Sequence, residues 1–158
     1  MTDIRVRNAT RADIERISEF QQAMALETEG RKLDSTVSTQ GIIAIFDDPR
    51  KGFYIVAVAD AGSAAQVVAS LMITYEWSDW NNANHWWIQS VYVDAAWRRK
   101  GVYRTMYDHI LGMTRDRSDI CSIRLYVERT NTTAQQTYKS LGMSHSHYDM
   151  YEIDLSGH

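Results

Sequence analysis

Cysteine is almost missing from this 158-residue chain. Cys121 stands alone, so no intramolecular disulfide can form. Without a disulfide framework, a reducing compartment is the expected setting. The opening stretch MTDIRVRNATRADIER alternates charge and apolarity. It lacks the apolar stretch of a secretory signal, so a cytoplasmic location is expected. No apolar run approaches the roughly 18 residues that would suggest a membrane span. Metal-site patterns are missing as well. One cysteine and five scattered histidines (His85, His109, His145, His147, His158) form no ligand cluster. His145 and His147, two apart, read as neighbours on a polar strand edge. Nor is there an excess of positive charge. Lys and Arg number 17 against 20 Asp and Glu, a net charge of −3, which argues against general nucleic-acid binding. No internal repeat, low-complexity stretch or linker interrupts the chain, so a single domain over 1–158 is expected.

What is present fits a soluble globular protein, with 44% hydrophobic and 23% charged residues. Ile4-Arg5-Val6-Arg7 alternates and reads as a strand. Thr10 reads as a helix N-cap with Asp13 in the first turn, and Ile14, Ile17 and Met24 place a helix over 11–25. Residues 27–34 are polar, with Gly30 as a breaker, and read as a loop. A second helix runs from Ser35 to Phe46, ended by Asp47-Asp48-Pro49. The period then switches to two. Strands over 53–59, 66–77 and 85–93 are joined by turn signals at 60–63 and 78–82, which predicts an antiparallel meander. From Gly101, helical spacing returns with Val102, Met106, Ile110 and Met113. Residues 121–127 alternate, with Ile123, Leu125 and Val127 on one face and Arg124 and Tyr126 on the other. Asn131 caps a further helix that stops at Gly142, and a final strand pair is expected over 143–154. The order is β-α-α-β-β-β-α-β-α-β-β.

The strongest local signal is strand, turn, basic loop, amphipathic helix. A helix start offers unpaired N–H groups and a positive dipole end, both suited to phosphate. Gly101 lets backbone approach a ligand closely. Arg98, Arg99, Lys100 and Arg104 add four positive charges within seven residues. Downstream, Tyr138 lies seven residues after Asn131, on the same helix face. A tyrosine hydroxyl can protonate a leaving thiolate in a dry site.

Together these two elements resemble the GCN5-related N-acetyltransferase (GNAT) family. The resemblance follows the element order of nearly the whole chain and is most specific over 85–143. The family's loop reads Arg/Gln-x-x-Gly-x-Gly/Ala and cradles the pyrophosphate of acetyl-CoA; here it is Arg98-Arg99-Lys100-Gly101-Val102-Tyr103. The last small position is occupied by Tyr103. The family's later Asn, Ala, Tyr, Gly pattern is matched by Asn131, Ala134, Tyr138 and Gly142. The resemblance implies an α+β fold with a mixed, mostly antiparallel sheet of six to seven strands and about four flanking helices. It implies acetyl-CoA as cosubstrate, with no metal. Val91, Tyr92 and Val93 would pair with the pantetheine arm, and the backbone from Arg99 to Arg104 would hold the pyrophosphate. Asn131 would contact the cofactor or position its helix. Tyr138 would be the general acid in direct transfer of the acetyl group to an amine.

Many family members carry a carboxylate base on the strand before the loop. Gln89 and Ser90 stand there instead, so Glu76, or a water held near Gln89 and Ser90, is the expected base. Four of the five tryptophans (Trp77, Trp80, Trp86, Trp87) lie between 77 and 87, close in sequence to Glu76 and Asp79. With Glu27 and Glu29 they suit a cationic amine through charge pairing and cation–π contact. Glu27, Glu29, Trp77, Trp87, Gln89 and Ser90 are the acceptor-site candidates. The expected acceptor is a small primary amine such as a polyamine, amino acid or amino sugar, with peptide amines as competitors. A catalytically degenerate acyl-CoA-binding regulatory domain is the alternative class. No nucleic-acid or membrane partner is expected, and a homodimer is the lean from the family.

Overall fold

The computed structural model describes residues 3–62 and 64–156. Ser63 of the 60–63 turn signal, and His158, lie outside the described residues. The chain forms two compact units, residues 1–126 and 127–158.

The first unit is built on a five-stranded sheet: β1 (Ile4–Asn8), β2 (Phe53–Ala61), β3 (Ala64–Ser78), β4 (Ala83–Val93) and β5 (Ile120–Leu125), side by side in chain order. The first three pairings are antiparallel; for β2–β3 and β3–β4 the short turns between period-two runs require it. β5 runs parallel to β4. That reversal needs a crossover, and α3 (Val102–Thr114) supplies it. Helices α1 (Ile14–Glu29) and α2 (Ser35–Asp47) cover the other face. There Ile17, Ile42 and Ile45 pack on Tyr54, Val56 and Val58 of β2. Alternation then sorts the sheet. Met72, Thr74 and Glu76 pair with Gln89, Trp87 and His85 on the α1 side, while Ile73, Tyr75 and Trp77 pair with Ile88, Trp86 and Asn84 on the α3 side.

Two elements depart from the sequence reading. Helix α1 runs four residues past Ala25, to Glu29, and stops at left-handed Gly30. Glu27 and Glu29 therefore ride on its last turn rather than in a loop. The start is as expected in kind: a 3-10 turn over Arg11–Asp13, with the Thr10 N–H donating to Asp13 Oδ2 at 2.8 Å.

The second unit contains α4 (Thr132–Ser140), capped by Asn131, whose Oδ1 accepts the Ala134 N–H at 3.0 Å. The expected strand pair over 143–154 does not form, so the described sheet has five strands rather than six to seven. His145 and His147 accordingly lie outside any strand. Tyr151, Ile153 and Leu155 alternate with Glu152 and Asp154 in strand fashion, but all three apolar side chains are exposed. Alternation sets a local preference only. A strand also needs a ladder partner, and a lone two-stranded pair is marginal in water. This stretch carries no Asn-Gly or Asp-Gly to close a hairpin.

Candidate active site

The basic loop joins β4 to α3. Asp94 opens it: its side chain accepts the Ala96 N–H at 3.0 Å and an Arg16 N–H from α1 at 2.9 Å. Arg99 (φ 61) and Gly101 (φ 75) both take left-handed conformations. Space around Gly101 is open, and its left-handed backbone angle is one that glycine takes without strain. Gly101 is also the N-cap of α3, with no side-chain cap, so the first N–H groups of that helix face outward unsatisfied by protein side chains. Tyr103 sits in the first turn with its ring 6.4 Å from Tyr107, one turn along. Its bulk lies along the helix, and the loop amides remain.

The four loop cations divide. Arg98 is an anchor: its Nε donates to Val93 O at 3.0 Å, its Nη2 to Glu27 at 2.7 Å, and its guanidinium lies 5.3 Å from the Tyr92 ring centre. Tyr92 Oη donates to the same Glu27 at 2.8 Å. Bonds from Arg98 and Tyr92 hold the Glu27 carboxyl below its ordinary pKa. Burial and the Glu27 bond push the Tyr92 phenol up. Glu27 is thus committed within the protein rather than offered to an acceptor. Among the described residues, Arg99, Lys100 and Arg104 make no ion pair, and Lys100 lies 5.0 Å from the Trp97 ring. Three such cations at a helix N-terminus fit the phosphates of an acyl-CoA.

β4 carries the second feature. Its pairing with β5 ends at Ile88 opposite Leu125. Among the described residues, from Gln89 through Val93, including Val91 and Tyr92, β4 pairs with a strand only on the β3 side. The backbone facing away from β3 is therefore open to an extended ligand. A bulge marks the divergence: Met72 pairs with Gln89 but Ser70 pairs with Tyr92, and Ser90 takes φ 52. A non-glycine residue at such an angle is strained by on the order of 1 kcal/mol or more. The extra residue puts Gln89 and Tyr92 on the same face although they are three apart. That phase change brings Tyr92 onto Phe20 of α1, ring centres 5.1 Å apart, and within reach of Glu27.

At the fork, the α1 side of the sheet holds a polar and aromatic group. Gln89 donates to Thr74 Oγ1. Trp87 Nε1 donates to Glu76 Oε1 at 2.9 Å, and Arg124 Nη1 reaches the two Glu76 oxygens at 3.4 and 3.3 Å. Trp87 stacks on Tyr126, centres 4.4 Å apart. Arg124 and Tyr126 share a strand face in the sequence but are not among its site candidates; their register with Trp87 depends on a parallel pairing that no local signal encodes.

Other candidates are not brought together. Trp77 faces the α3 side, opposite Trp87, and is 60% exposed, while Trp86 is buried on that side. Four tryptophans close in sequence therefore make no single wall. Glu29 pairs with Arg31 at 2.6 Å. A crevice of about 320 Å³ does open on the α3 side, beside Phe53, Tyr75, Trp86 and Arg117, but no candidate site residue lines it. Asn131 and Tyr138 belong to the second unit. Burial pushes the Tyr138 phenol above its ordinary value, which keeps it protonated at neutral pH. Among the described residues, no group of three or more His, Cys, Asp or Glu is placed to hold a metal, and no helix is long and apolar enough to cross a membrane.

Comparison with known proteins gives a consistent picture. Residues 14–143 match the model of the Acetyltransferase (GNAT) family. A search of curated proteins finds no match. Among solved structures, a possible acetyltransferase from Clostridium difficile 630 is 43% identical, with 96% of this chain and 97% of that one covered and a TM-score of 0.87. A predicted acetyltransferase from Clostridium acetobutylicum, solved with acetyl-CoA, shares the fold at 17% identity, 99% coverage of both chains and a TM-score of 0.73. So does the aminoglycoside acetyltransferase meta-AAC0020 from an uncultured soil metagenomic sample, in complex with sisomicin, at 12% identity, 97% coverage of both and a TM-score of 0.74. With the family model spanning most of its length, this chain belongs to the GNAT acetyltransferases and is an acyltransferase.

Proposed function

We propose that this protein transfers the acetyl group of acetyl-CoA to a primary amine on a small molecule. The observation that carries the reading is the open run Gln89–Val93 of β4, leading from the fork at Leu125 to a helix start flanked by three unpaired cations. The fit to an acyl-CoA is chemical. Loop amides, Arg99, Lys100 and Arg104 suit its phosphates, and the open backbone of Val91 and Tyr92, up to the Val93 carbonyl that accepts from Arg98, suits the amides of its arm. When bound, acetyl-CoA supplies a thioester for attack by an amine. Tyr138, protonated at neutral pH as a phenol is, donates the proton to the departing sulfur. Asn131 acts through its cap on α4. Any proton that Glu76 takes from the amine competes with the donors Trp87 and Arg124. A water held near Gln89 and Ser90 is therefore the better-supported base. The soil aminoglycoside acetyltransferase supports small amines as acceptors at the level of the fold.

The engagement of Glu76 also favours a second reading, an acyl-CoA-binding domain without turnover. The two separate in one experiment. Purified protein is given acetyl-CoA and a panel of primary amines, and CoA thiol release is followed. Transfer predicts release with at least one amine, and Tyr138→Phe should lower kcat by about 10² to 10⁴ with acetyl-CoA affinity little changed. Unchanged kcat removes Tyr138 from the acid role. Tight acetyl-CoA binding without release for any amine selects the second reading.

A further inference from the structure

Past the fork, among the described residues, β4 pairs with β3 alone, and Ser90 holds a strained angle. What keeps this run in phase lies on α1. Without the extra residue at Ser90, a regular ladder would turn Tyr92 to the opposite face of the sheet. Three contacts hold Tyr92 on the α1 face instead. Its ring lies 5.1 Å from that of Phe20 and 5.3 Å from the Arg98 guanidinium, and its hydroxyl donates to Glu27 at 2.8 Å.

The same helix holds the loop. Arg16 and Glu27 stand three turns of α1 apart, so they face the same way. Arg16 donates to Asp94 at 2.9 Å and to Val67 O at 3.1 Å, and Glu27 accepts from Arg98 at 2.7 Å. The Asp94 N–H donates to Val68 O of β3 at 2.8 Å. Alternation then points the Val93 carbonyl to the edge that β5 has left, where Arg98 Nε bonds it. One carboxylate thus gathers the Tyr92 side chain and the first cation of the loop. Glu27 and Arg98 are each more than two-fifths exposed, and exposed pairs add little to global stability. The effect of this network falls on local conformation.

We infer that Glu27 is a positioning residue for acetyl-CoA. With Arg98 and Tyr92 it holds the Gln89–Val93 run in the phase that receives the cofactor's arm, and the Arg98 guanidinium serves this clamp rather than the phosphates. The inference rests on the acyl-CoA reading above and assigns the preorganisation of that site to α1. When the clamp is lost, only a fraction of molecules hold the run in phase. Apparent affinity falls by that fraction, while molecules that do bind react as before. The sign of the effect is diagnostic. Glu27 places a negative charge beside a loop suited to phosphates, so on charge alone its removal strengthens acetyl-CoA binding. Its removal would also release Arg98 toward the phosphates, if that were the task of Arg98. A clamp predicts the reverse.

Calorimetric titration of the whole protein with acetyl-CoA reads that sign. Glu27→Gln, which keeps the side chain's size and loses its charge, should raise Kd about 10-fold, the value of one charge-assisted bond. Arg98→Lys keeps the charge a phosphate would need and loses the fork; it should weaken binding too. The double variant should be little worse than either alone, because both remove one clamp. With an accepted amine, KM for acetyl-CoA should follow Kd while kcat at saturation stays within about twofold. Thermal melts identify a misfolded variant. Tyr92→Phe, which keeps the ring on Phe20 and drops one bond, then decides alone, with Kd expected to rise about threefold. Equal or tighter binding by Glu27→Gln overturns the inference, as does a double variant whose loss is the product of the single ones. So does a fall in kcat with Kd unmoved. Failure of the wild type to bind acetyl-CoA overturns the cofactor reading and this inference together. Binding without turnover for any amine overturns only the transfer step, and the Kd comparison still decides.

Discussion

Gly52 offers the cleanest quantitative test of the fold that carries the site. It precedes β2 with φ 149, and a Cβ there would lie 2.1 Å from the carbonyl oxygen of Ile73, 3.1 Å from its carbon and 3.3 Å from Thr74 Cα. Ordinary contact begins at 3.4 Å, so the methyl group is 1.3 Å too close to backbone that cannot rotate away. Ile73 is the ladder partner of Phe53, so relief requires parting β2 from β3 at their first pair. Backbone strain of about 1–3 kcal/mol adds to about 1 kcal/mol for each ladder bond lost. Gly52→Ala should therefore destabilise by about 3–5 kcal/mol. At about 2–4 °C per kcal/mol for a chain of this length, Tm should fall by roughly 10 °C. Gly112 is the control. It lies in α3 with nothing within 4 Å of a built Cβ, so Gly112→Ala should stabilise by about 0.5–1 kcal/mol. Urea and thermal unfolding of both variants measure the contrast. A Gly52→Ala protein that melts within 2 °C (about 1 kcal/mol) of wild type would refute the steric argument.

Two further predictions concern pH. Tyr54 is 5% exposed, and burial pushes its phenol up to about 12 from 10.0. The folded state then resists ionisation more than the unfolded chain, so stability is full below pH 10 and is lost as pH rises toward 12, by about 2–3 kcal/mol. Tyr54→Phe should lose correspondingly less in urea unfolding over that window; equal slopes would sink the assignment. Asp13 is 5% exposed. Burial pushes its pKa up, but bonds from Arg7 at 2.7 and 3.0 Å and from Thr10 outweigh it, and the net shift is down. Its contribution is present above the ordinary carboxyl range and lost as pH falls through the lowered value. Asp13→Asn should cost about 1–3 kcal/mol at pH 7 and less in acid, and a pH-independent difference would argue against the pair.

How much of this was legible beforehand depended on range. Strands 53–59, 66–77 and 85–93, the restart of helix at Gly101 and the Asn131 cap rest on local patterns, and each appears within a few residues of the reading. Loop cations and their helix start were equally local. What failed was what distance decides. Glu27 and Arg98 are 71 residues apart, and nothing in either neighbourhood announces their bond. Ser90 looks like an ordinary strand residue, yet its bulge sets which way Tyr92 points. Trp77 and Trp87 read as one cluster because both are near 80, and alternation sends them to opposite faces. Residues 143–154 show the converse: correct period, no partner.

On the proposed reading, the stretch of β4 from Gln89 to Val93 also acts as a gauge of length. Five residues of extended chain rise roughly 15 Å. One end is fixed by the point where β5 stops and the other by the cationic loop. A linear molecule tethered by its phosphates reaches the fork with its far end only if its arm is about that long and lies extended. A shorter thioester, even a more reactive one, is left stranded along the strand, far from Arg124 and Trp87. Selection of the acyl donor by reach then needs no contact with the acyl group itself. Shortening or lengthening β4 by a residue would move the delivered end by about 3 Å and turn every side chain beyond the change to the other face.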